Sequence, residues 1–163
     1  MIKQTFILIF SLVVLSIGIE SSALAANSSG VKLYQSECSD CHIPYPSNFL
    51  GTQSWDALLK GLDNHFGDDA ELAPEDLAKI KTFLDNNNYD QSRIKKYYHG
   101  RFDSPGTPLR ISKTVLFKAI HHEISDRWVT KNPKVKSFSH CDACHRGASR
   151  GSFDEDDVRV PRY

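Results

Sequence analysis

Two five-residue strings use every cysteine in the chain: Cys38-Ser39-Asp40-Cys41-His42 and Cys141-Asp142-Ala143-Cys144-His145. Two thiols three positions apart, followed at once by an imidazole, suit one chemistry above others. The thiols add to the two vinyl groups of a porphyrin as thioethers, and the histidine turns its ring onto the iron. A redox disulfide would need a βαβ setting, which neither string has. A four-cysteine zinc site would need its pairs far closer than about 100 residues apart. Two disulfides would leave the repeated histidine without a purpose. The strings therefore point to two covalently attached haem c groups, bound through Cys38, Cys41, Cys141 and Cys144, with His42 and His145 on the irons.

The sixth position on each iron is the next question. The single methionine is Met1, at the start of a leader segment, so a His/Met haem is not on offer. That leaves histidine, lysine, water or nothing, and beyond the motifs five histidines remain: His65, His99, His121, His122 and His140. His65 follows Leu58 and Leu62 at helical spacing and would share their apolar face. His121 shares a helical face with Phe117, Ile124 and Trp128, whereas His122 falls beside Lys118 and Asp126 and stands as the fallback. His99 sits in a loop beside Gly100, and His140 adjoins Cys141, so both read as structural. Irons closed by histidine on both sides exchange electrons and offer a substrate no open position. The expected function is electron transfer. The alternative is a dihaem enzyme, a peroxidase or small-molecule reductase with one open haem, but no acid/base pair accompanies either motif.

The elements that must hold these residues read as helices and loops. A short helix runs through Val31, Leu33 and Tyr34 into the first motif. A second is expected from about Ser54 to Phe66, ended by Gly67-Asp68-Asp69, and a third from Pro74 to Asn86-Asn87-Asn88. Residues 89–110 read as loop and as a domain junction, and a further helix is expected from about Ser112 to Val129. No strand alternation is apparent. The fold class is mostly α, with a haem domain over 26–100 and a smaller, extended haem-binding segment over 101–163.

Met1–Ala25 reads as a cleaved secretory signal peptide: Lys3, an apolar run to Ile19, then Ala23-Leu24-Ala25. The run is short of the roughly 20 residues of a membrane span. Export to the periplasm agrees with haem attachment, and the processed chain should not span a membrane. Twenty basic and twenty acidic residues balance, which argues against nucleic acid as a partner. The run Asp154-Glu155-Asp156-Asp157 reads as solvated surface or as a docking patch for a basic partner. Arg146, Arg150, Arg159 and Arg162 are candidates to neutralise haem propionates.

The chain resembles the bacterial dihaem cytochrome c (DHC) family. The resemblance rests on Cys38–Pro46, Ser54-Trp55, His65–Ala70, Arg110-Ile111-Ser112, His121–Ile124, Cys144–Ala148 and the ending Phe153–Arg162. It implies a class I cytochrome c-like N-terminal domain and bis-histidine ligation with His65 and His121 as distal ligands. It also implies redox partners, namely a small oxygen-binding monohaem cytochrome to which electrons are donated and a membrane cytochrome b. Where the family commonly has Trp after its Arg-Ile-Ser segment, this chain has Val115-Leu116-Phe117.

Overall fold

A computed structural model describes residues 28–162, so the leader and its cleavage site lie outside the described residues. Helix α1 covers residues 28–37 and delivers the chain into the first motif, with the Cys38 N–H still bonded to the Tyr34 carbonyl at 3.2 Å. Helices α2 (Thr52–Lys60) and α3 (Pro74–Asn87) follow, and α3 starts with proline at its first turn and Glu75 and Asp76 beside it. Tyr34, Leu50, Trp55, Ile80, Phe83 and Leu84 form the buried cluster that these helices share. The Trp55 indole N–H donates to the Ser47 carbonyl at 2.7 Å, so its polar edge is not stranded. Helix α1 crosses α3 at Gly30. A Cβ there would stand 2.6 Å from the Lys79 carbonyl oxygen and 2.8 Å from the Phe83 Cβ.

The second half is built from shorter pieces. Helix α4 (Arg93–Tyr97) lies inside the stretch expected to be loop. Its cap was readable: Ser92 Oγ accepts the Lys95 N–H at 3.2 Å, and Asn88 similarly caps the 3-10 turn Tyr89–Gln91. The single helix expected over 112–129 is broken. It resolves into a 3-10 turn at Ile111–Lys113, α5 (Val115–Ile120) and α6 (Asp126–Thr130). Thr114 Oγ1 caps α5 by accepting the Phe117 N–H at 3.1 Å. At its other end the Phe117 carbonyl accepts both the His121 N–H and the His121 ring, and the His122 ring donates to the Ala119 carbonyl, a group that further helix would have used.

Among the described residues there is no strand. Two isolated bridges occur, His65 with Asp68 and His145 with Val158, and both fall at histidines of interest. The expectation of a mostly α fold holds for the described residues.

Candidate haem sites

The first motif turns off the end of α1, and His42 comes to rest against Tyr45, ring on ring at 4.7 Å and 21°. His42 Nδ1–H donates to the Ile43 carbonyl at 2.7 Å, which leaves Nε2 as the free lone pair. Across from it stands His65, at 6.3 Å between ring centroids and 32° between planes.

His65 does not reach this place on a helical face, as the spacing from Leu58 and Leu62 suggested. Helix α2 stops at Lys60, a 3-10 turn spans Leu62–Asn64, and His65 opens a tight turn to Asp68. The His65 N–H donates to the Asp68 carbonyl at 2.7 Å, and the two central residues, Phe66 and Gly67, have φ of 59° and 111°. Positive φ at both positions is the mirror-image turn that glycine tolerates and phenylalanine resists. Phe66 is held there by its ring, which meets the His65 ring edge-on at 4.8 Å and carries the Arg110 guanidinium 3.9 Å above its centroid.

The second motif forms a 3-10 turn, Cys141–Ala143, and the His145 N–H closes onto the Cys141 carbonyl at 2.8 Å. The tail runs alongside, with the Arg159 N–H donating to the Cys144 carbonyl at 2.9 Å. His145 faces His121 at 6.0 Å and 70°. His121 is fixed twice, by Nδ1–H donation to the Phe117 carbonyl at 3.0 Å and by stacking on the Phe117 ring at 4.0 Å and 12°. Phe117 thus occupies the stretch where the family's tryptophan was missing. Along the chain the two sites are reversed: His65 follows its motif, and His121 precedes its own.

Both pairs fit an iron between them. Two metal–imidazole bonds of about 2 Å, plus about 1 Å from each ring nitrogen to its ring centre, add up to about 6 Å. Burial lowers the pKa of His65, His121 and His145, and each facing motif or partner histidine lowers those of His65 and His145 further. Burial and the facing imidazole thus favour the neutral ring, the form with a lone pair to give. All four cysteines are free, and burial pushes Cys38 and Cys141 up to about 11. Around the second pair lies an apolar cavity lined by Cys141, Cys144, Ile124, Trp128, Val135 and Val160, among others. His145 Nδ1 is buried without a hydrogen-bond partner.

The remaining histidines sit elsewhere. His122 is exposed and points toward Glu123, 3.9 Å away. His99 is exposed, in a turn with φ of 49°. His140 Nδ1–H donates to the Val135 carbonyl at 2.7 Å. Of the four arginines considered, Arg159 is spent on the Asp156 and Val158 carbonyls. The arginine that reaches a histidine pair is Arg110, which spacing alone did not single out; its charge acts on His65 and Tyr45.

The model of the family described as dihaem cytochrome c matches residues 34–153. The chain belongs to the dihaem cytochrome c family. Solved relatives agree. A dihaem cytochrome c from Shewanella baltica OS155 is 37% identical, with a TM-score of 0.65, over 80% of this chain and 93% of that one. A dihaem cytochrome c from Rhodobacter sphaeroides is 41% identical, with a TM-score of 0.64, over 75% of this chain and 95% of that one. No curated protein matches the sequence. As a dihaem cytochrome c, the chain binds two haem c groups.

Proposed function

We propose that this dihaem cytochrome c is a periplasmic electron carrier in which both irons are closed by histidine. In this reading Cys38 and Cys41 would tether the first haem, and His42 and His65 would hold its iron. Cys141 and Cys144 would tether the second, and His145 and His121 would hold its iron. The first haem belongs to residues 26–100 and the second to 101–163. The observation that carries the reading is the pair of facing imidazoles at 6.3 and 6.0 Å, one pair at each motif.

When bound, haem iron supplies one-electron exchange between its ferric and ferrous states. The chain's own residues do the rest. The Ile43 and Phe117 carbonyls hold the Nδ1 protons of His42 and His121, which aims Nε2 inward and raises its basicity. Phe117 and the Phe66–Arg110 contact keep the distal rings from swinging away. The cavity around His121 and His145 is lined mainly by apolar side chains, a setting suited to a porphyrin ring. Rigid, closed coordination favours electron exchange over bond-making at the metal.

Export through the leader and docking to redox partners complete the proposal. The described residues contain no helix long and apolar enough to cross a membrane. The family resemblance suggests an oxygen-binding monohaem cytochrome or a membrane cytochrome b as partner.

Carbon monoxide tests the closed-iron reading. The reduced holoprotein should leave it unbound and show two low-spin haems, whereas His65→Ala and His121→Ala should each gain one carbon-monoxide-binding haem. Uptake by the wild-type protein would reverse the conclusion in favour of an enzyme with an open site.

A further inference from the structure

Tyr45 links the first haem motif to the residues just before the second. Its ring lies on the His42 imidazole at 4.7 Å, and its hydroxyl donates to the Ser139 carbonyl at 2.9 Å, 94 residues along the chain. Ser139 stands two residues before Cys141. Both ends of this contact are fixed from behind. The Tyr34 hydroxyl donates to the Tyr45 carbonyl, and Tyr34 is part of the first buried cluster. Pro44 and Pro46 flank Tyr45 and restrict its backbone. On the other side, Ser137 Oγ accepts the Ser139 N–H at 3.1 Å, and the Ser139 carbonyl is held toward the phenol.

A second meeting of the two halves runs from Phe49 to Phe153, at 5.3 Å, and on to His145, at 5.4 Å. It consists of edge and tilted ring contacts, without a directional bond, and it starts from Phe49 rather than from the first motif. Tyr45 by contrast joins an imidazole face to the backbone two residues before the other motif, by one stack and one hydrogen bond.

We infer that Tyr45 couples the two haem sites, setting their separation and carrying the electronic contact between them. The inference rests on the reading of His42 as an iron ligand. Tunnelling between two centres is faster through atoms in contact than across a gap. The route here is imidazole, stacked phenol, hydrogen bond, and two residues of backbone to Cys141. One electron passes per event: the iron that gives it is oxidised, the iron that takes it is reduced, and Tyr45 keeps its hydroxyl hydrogen throughout.

Exchange NMR on the half-reduced holoprotein measures the rate at which the electron moves between the haems. Tyr45→Phe keeps the ring and removes the hydrogen bond; Tyr45→Leu removes both. The exchange should slow several-fold in Tyr45→Phe and further in Tyr45→Leu. If the leucine variant fails to take up haem, the isosteric phenylalanine variant carries the test alone. A purely structural role for the hydroxyl would lower the unfolding midpoint and leave the exchange rate of the folded protein alone; that outcome overturns the inference. Spin state on the same samples separates the two ideas. A high-spin first haem in the wild-type protein would defeat the His42/His65 assignment. Unchanged exchange in Tyr45→Phe, with both haems low-spin, would defeat Tyr45 alone.

Discussion

The imidazole planes of the two facing pairs are set at different angles, 32° for His42 and His65 and 70° for His121 and His145. An imidazole donates π density along the normal to its ring. Near-parallel rings act on one iron d orbital and split it from its neighbour, while crossed rings act on both and leave them close in energy. The oxidised holoprotein should therefore give two separable low-spin paramagnetic resonance signals, one rhombic from the first haem and one strongly anisotropic from the second. Phe117→Ala, which removes the stack on His121, should move the second signal and leave the first in place. One common signal for both haems would contradict this geometry. The two cysteine–histidine strings were legible in the sequence because their spacing answers to covalent chemistry, which tolerates little variation. The placement of His65 was legible only in outcome: the helical face proposed for it does not exist, and a strained turn at Phe66 does the aiming.

At the scale of elements, α2 starts with no side-chain cap of its own, and Gly51 offers none. Asp90 takes that role from a distance, accepting the Thr52 N–H at 2.8 Å and the Thr52 hydroxyl at 3.0 Å while pairing with Lys95 at 2.7 Å. Partial burial pushes the Asp90 carboxyl up, but the Lys95 and Thr52 hydrogen bonds outweigh it and hold it below the usual carboxylate range. A depressed carboxyl stabilises the fold above its unfolded value of about 4, and the contribution disappears as pH falls through the lower folded value. Asp90→Asn should thus lower the unfolding midpoint at neutral pH and flatten its decline below about pH 4. An acid limb identical to that of the wild-type protein would count against this role. Helix α3 was readable end to end from Pro74 and its asparagine stop. The break between α5 and α6 was not, since Phe117, His121, Ile124 and Trp128 keep helical spacing although the helix ends at Ile120. Apolar period records which side chains face the cavity, and here a turn carries His121 and Ile124 while α6 carries Trp128.

Across the whole molecule, the C-terminal tail is part of the second site. Val158 and Val160 line the cavity, and Asn132, fully buried at 0% exposure, donates to the Pro161 carbonyl at 2.8 Å. Asn132→Ala would leave that carbonyl unpaired, at a cost of about 1–3 kcal/mol. Denaturant unfolding should report the loss, and limited proteolysis should find the tail cut sooner. An unchanged unfolding midpoint would show that the tail is held by other means. Ties of this length, like that of Tyr45 to Ser139, have no signature in local sequence, because each partner looks like an ordinary loop residue until the chain has folded. The reversed order of the two sites has a consequence of another kind, for how the molecule comes into being. A chain emerges from synthesis with its N-terminus first. By residue 65 the proposed donor set of the first haem is whole, whereas His121 waits for a partner until residue 145. A chain cut short anywhere in between would carry one finished set of donors and one orphan. The two halves of this dihaem protein are thus unequal in the time at which each is complete.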